Sequence, residues 1–109
     1  MTAISTDKKL RVQFRLEPGC LGPDGTNLID AFCQFAQQEL DLFNSKFIVW
    51  KVTPRVNKTQ PEIQYRLNGK GLDTNQASRY LKLFEQDISN FEDQLDDKLV
   101  MMIESFFDR

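Results

Sequence analysis

The sequence predicts an α+β domain of order β-α-β-β-α(-α): a small three-stranded sheet with its helices packed on one face. Three observations predict it. Polar and apolar residues alternate in two short stretches, Lys9–Leu16 and Glu62–Leu67, the period of a half-buried strand. From Leu28, and again from about Asp73, apolar residues recur at three and four, the period of an amphipathic helix. Asn68-Gly69, directly after the second alternating stretch, is a strong turn signal. Few strands with two helical segments make a small sheet covered on one side.

The first strand is the clearest element. Leu10, Val12, Phe14 and Leu16 face the core, and Lys9, Arg11, Gln13 and Arg15 face out. The first helix begins at Leu28 and ends near Asn44, with Asn27 as N-cap and Asp30 near the positive end of the dipole. Its apolar stripe is Leu28, Ile29, Phe32, Cys33, Phe35, Ala36, Leu40 and Phe43. Phe47–Thr53 is β-branched and aromatic, the second strand. Pro54 and Pro61 then bracket a polar loop, and Glu62–Leu67 is the third strand. Order and loop length pair strands two and three as an antiparallel hairpin.

From Asp73 to Asp108 the pattern is helical throughout. One helix of that length would span about 54 Å, against a radius of gyration of about 13 Å for a domain of this size. Ser89-Asn90-Phe91-Glu92 has the spacing of a capping box. Two helices are therefore expected, Thr74 to Asp87 and Asn90 to Asp108. The apolar stripe leaves the heptad after Leu95, where Lys98 occupies the next apolar position, so a long coiled coil is not expected.

A chain of 109 residues fits a single domain, 1–109, of which 1–8 are expected to be flexible. Nine phenylalanines argue for a packed core rather than disorder. No apolar run approaches a membrane span, and Met1–Lys9 lacks the apolar core of a secretory signal. Two cysteines, Cys20 and Cys33, make no disulfide framework and read as free thiols of a cytoplasmic protein.

The nearest approach to a functional motif is Glu17–Gly25, EPGCLGPDG, with Gly19, Cys20, Gly22 and Gly25 as the candidate loop. It joins strand to helix, where phosphate loops occur. Its glycines, however, are spaced G-x-x-G-x-x-G, no lysine follows the last of them, and Glu17 and Asp24 would repel an anion. The simpler reading is a structured turn. Asn68-Gly69-Lys70-Gly71 reads the same way, as a turn before a capped helix. Cys33 lies on the apolar helix face. Cys20 is the one candidate reactive thiol, with no nearby base in sequence to lower its pKa.

The chain contains no histidine, which removes the usual general base and the commonest metal ligand. No metal or nucleophile motif replaces it, and no catalytic residue, metal or cofactor is assigned. Asp87, Glu92, Asp93, Asp96 and Asp97 read as a solvated helix face.

Charge is unevenly distributed. Residues 1–70 hold ten basic and seven acidic side chains, and residues 71–109 four and nine. Alternation places Arg11, Arg15, Lys51 and Arg66 on the outer sheet face, a candidate basic face without the aromatic rings that stack bases. Val100, Met101 and Phe107 lie outside the arc that one core can cover, a candidate interaction surface. The expected function is a non-catalytic interaction or regulatory module, homodimeric or with another protein partner. The alternatives are a nucleic-acid or acidic-partner binder using the basic face, with nucleic acid the less favoured, and a small-ligand binder or enzyme.

Overall fold

A computed structural model describes residues 8–108. The expectation of a flexible start concerns residues 1–8, of which 1–7 lie outside the described ones. The chain folds as β1 (Leu10–Leu16), α1 (Gly25–Leu40), β2 (Ile48–Pro54), β3 (Ile63–Leu67), β4 (Lys70–Leu72), α2 (Thr74–Lys82) and α3 (Ile88–Phe107), with a short 3-10 turn at Pro18–Leu21. The class is α+β as expected, but the sheet has four strands, in the order β2-β1-β3-β4. The fourth is only Lys70-Gly71-Leu72, too short to show any alternation. Asn68 (φ 52°) and Gly69 (φ 81°) both take positive φ in the turn that joins it to β3, the conformation of a type I′ hairpin turn.

The expected hairpin of strands two and three is not formed. β1 pairs with β2 in parallel, from Leu10 opposite Ile48 to Leu16 opposite Pro54, and with β3 antiparallel, from Arg11 opposite Arg66 to Phe14 opposite Ile63. The physical reason lies in the connections. A parallel pair needs a helical crossover, which α1 supplies. The polar loop at 55–62 is then long enough to carry the chain past β1 to its other side. Arg55 organises that loop: its guanidinium donates to the carbonyls of Lys58 and Gln60 and pairs with Glu17 at 3.1 Å and Glu62 at 3.6 Å.

β2 is left at the sheet edge, where unpaired backbone groups invite other strands. Gln37 of α1 covers it. Its amide nitrogen donates to the Trp50 carbonyl (2.9 Å), and its oxygen accepts from the Val52 N–H (2.8 Å).

The helices cover one face of the sheet. Leu10, Val12, Phe14, Trp50 and Tyr65 from the strands share one core with Phe32, Ala36 and Leu40 of α1, Ala77 and Leu81 of α2, and Phe91, Leu95 and Met102 of α3. Phe91, Phe43 and Trp50 form a mutual aromatic cluster, with ring centroids 6.3 Å (Phe43–Phe91), 5.9 Å (Trp50–Phe91) and 5.9 Å (Phe43–Trp50) apart. Lys98 breaks the apolar stripe without loss of packing, because its ammonium sits 5.5 Å from the centre of the Phe43 ring.

Helix boundaries differ from expectation where caps were misread. α1 starts at Gly25, three residues earlier than expected, with Asp24 rather than Asn27 at the N-cap and no side-chain bond. It ends at Leu40, and Asn44 (φ 54°) turns the chain toward β2. α2 begins on a capping box: Asp73 accepts from the Gln76 N–H while Gln76 accepts from that of Asp73. It ends at Lys82, and Glu85 (φ 60°) breaks the path to α3. α3 is capped by Asp87, which accepts from the Asn90 N–H at 3.1 Å; Ser89 lies inside the helix. Two C-terminal helices are present, as expected, but the first is shorter.

Candidate functional site

The loop between β1 and α1 is a packed connection. The Leu21 side chain is buried, Gly22 takes φ 90°, and the Gly22 N–H bonds to the Gly19 carbonyl. A Cβ on Gly25 would overlap the Pro18 carbonyl oxygen, so this glycine is required by close backbone approach. Nothing lies within 4 Å of a Cβ built on Gly19. Cys20 is exposed, but partial burial pushes its thiol pKa up, and the nearby carboxylates of Glu17 and Glu62 add to the rise. This environment suppresses the thiolate on which reactivity depends. Cys33 is buried in the core, and desolvation, with Asp30 nearby, raises it to about 11.

Tyr65 and Glu92 form a further polar contact. The Tyr65 hydroxyl donates to Glu92 at 2.8 Å, joining β3 to α3. Burial and the carboxylate both hold the phenol in its protonated form. Glu92 is thus a structural anchor, whereas Asp93, Asp96 and Asp97 are exposed. Among the described residues, no group of three His, Cys, Asp or Glu side chains could hold a metal ion.

The outer sheet face is polar and open. Arg11, Lys51 and Arg66 are exposed upon it. Arg15 is not: it is 5% exposed, and its guanidinium donates to the Pro61 carbonyl (2.8 Å) and to Gln64 Oε1 (2.7 Å). It points to the outer face as alternation requires, but the loop after β2 folds over it. The candidate basic face is therefore three residues, not four. Arg11 and Arg66 stand directly opposite each other on neighbouring strands. Like charges so placed oppose pairing, and among the described residues neither has a carboxylate within salt-bridge distance. Arg66→Glu should therefore stabilise the fold by about 0.5 kcal/mol at low salt, read as a higher urea midpoint at unchanged slope.

The exposed face of α3 contrasts with this. Val100 is 56% exposed, Met101 65% and Phe107 53%. Val100 and Phe107 are seven residues apart, about 20° around the helix. Half-buried Ile103 lies beside them. Phe106 turns inward, 5.2 Å from Phe32 edge-to-face and 5.9 Å from Phe35, and also meets Phe107 edge-to-face at 5.5 Å. Among the described residues, the other large exposed apolar side chains, Leu42, Val56 and Leu83, belong to separate loops. Exposed Asp93, Asp96, Asp97 and Glu104 border the patch. The structure thus brings Val100 and Phe107 onto one face, while Met101 lies about 100° further round the helix.

Sequence reasoning missed Gln37, whose edge-covering role leaves no trace beyond a polar residue beside an apolar stripe. It also missed the Tyr65–Glu92 contact, which joins residues 27 apart. Among the described residues, no helix is long and apolar enough to cross a membrane. Comparison with protein-family models, with curated proteins and with solved structures finds no match.

Proposed function

We propose that the protein is a non-catalytic interaction module that pairs with a second copy of itself through the exposed face of α3. The observation that carries this reading is that Val100 and Phe107, each more than half exposed, share one face of α3 two turns apart, with exposed Met101 about 100° further round. Large exposed apolar side chains that share a helix face, as Val100 and Phe107 do with half-buried Ile103, mark contact surfaces, whereas scattered single residues do not. A two-fold pairing is the commonest closed assembly. An antiparallel arrangement with its axis between Ile103 and Glu104 sets Val100 against the second copy's Phe107. It leaves Asp93, Asp96 and Asp97 beyond the overlap. An axis at Val100 would instead oppose Glu104 to the second copy's Asp96, at a cost in repulsion. Two free thiols, one exposed and one buried, suit a reducing cytoplasm.

The test compares exposed apolar residues of equal standing. Val100→Glu with Phe107→Glu should convert a dimer to a monomer in sedimentation velocity and leave the far-ultraviolet circular dichroism intact. Leu42→Glu, Val56→Glu and Leu83→Glu should leave the dimer in place. Dissociation by the loop variants as readily as by the α3 pair would refute the assignment of the surface.

A further inference from the structure

The α3 patch leaves the opposite side of the molecule unaccounted for. There the strands present an ordered polar grid. Val49, Arg11, Arg66 and Gly71 form one row across β2, β1, β3 and β4; Lys51, Gln13 and Gln64 form the next. The Arg15 N–H bonds to the Glu62 carbonyl at 2.7 Å. This rung fixes the hydrogen-bonded pairs of the antiparallel ladder, and Arg11–Arg66, two rungs on, is one of them. Their Cα atoms are then about 5.5 Å apart, so two guanidinium groups leave the sheet side by side. Gly71, next to Arg66, places no side chain over it. Lys51 lies diagonally beside Arg11, one strand over and two residues along, at about 8 Å from the strand geometry.

The cations on and beside this face divide by use. Arg15 and Arg55 are held by backbone carbonyls and carboxylates. Arg11, Lys51 and Arg66 are exposed and, among the described residues, have no carboxylate within salt-bridge distance. Arg15 also takes the Gln64 Oε1, which leaves the Gln64 amide nitrogen as a further donor on the same face. We infer that the outer face of the sheet, through Arg11, Arg66 and Lys51, docks an acidic segment of a partner polypeptide. The steps from Arg66 to Arg11 and from Arg11 to Lys51, about 5.5 and about 8 Å, bracket the spacing of alternate side chains in an extended chain, about 7 Å. Guanidinium pairs bind carboxylates in bidentate fashion, and Gln64 can donate to the partner's backbone or side chains. A polypeptide fits better than single-stranded nucleic acid because the face offers no aromatic ring on which bases could stack. This surface is distinct from the α3 patch, so the two assignments stand or fall separately.

A fluorescein-labelled oligoglutamate peptide tests it by anisotropy against the full chain, with an oligouridylate of equal net charge as the comparison. Oligoglutamate should bind, and its affinity should fall at least tenfold as ionic strength rises from about 0.01 M to about 0.15 M, where the screening length shrinks from about 30 to about 8 Å. Arg11→Glu combined with Arg66→Glu should reduce binding at least tenfold. That variant keeps a like-charge rung of reversed sign, so the fold is not lost to a new imbalance, and circular dichroism checks it. Lys51→Glu alone should weaken binding less, by about threefold. No binding at low salt, unchanged binding by the double variant, or tighter binding of the oligouridylate would each overturn the proposal.

Discussion

Phe91→Ala is expected to be the most destabilising single truncation among the aromatic residues, at about 3–5 kcal/mol. Phe91 is fully buried in the first turn of α3. Its ring lies nearly parallel to that of Phe43 (5°) and to Trp50 (18°), so it joins the segment after α1, the edge strand β2 and the last helix. The Trp50 indole N–H donates to the Phe43 carbonyl at 2.7 Å and the two rings stack on each other at 5.9 Å, which holds them in place and limits collapse into the space left behind. A domain of this size has about 5–15 kcal/mol in hand, so the loss is a large share. Chemical denaturation should show a much lower midpoint. A cost below about 1.5 kcal/mol would mean that the stack does not hold α3 to the sheet.

Gly25→Ala should cost about 2–3 kcal/mol, far more than a helix-start alanine ordinarily would. The added methyl group overlaps the Pro18 carbonyl oxygen and comes within 2.5 Å of its carbon. Both atoms are backbone, so no rotamer change relieves the clash; the 3-10 turn or the start of α1 must move. Gly19→Ala is the matched control. It meets nothing within 4 Å and does not sit at positive φ, so it should be neutral or stabilising by up to about 1 kcal/mol through the unfolded state. Thermal melts of the two variants should separate clearly. Equal melting temperatures would contradict the close approach of the two segments.

The same loop shows what could be read from residues alone. Its composition marked it as a connection rather than an anion cradle, and its glycine-proline content gave the reason. Which glycine was indispensable was not legible, because that depends on where Pro18 returns against α1. Alternation in β1 gave the direction of every side chain, including Arg15. It could not give exposure, because a loop some 40 residues later folds over Arg15. Strand pairing failed for a related reason. Local pattern identifies a strand but not its neighbour, and β1 took the centre because α1 made a parallel crossover available. The α3 residues were legible because a helix of known period has only one arc to bury.

If α3 joins two copies, the molar mass of the unmodified chain in solution must show it. Light scattering after size exclusion, at several concentrations in the micromolar range, should give twice the chain mass of 12.7 kDa at the upper end and fall toward it on dilution. A mass of 12.7 kDa throughout would mean that α3 does not pair two copies.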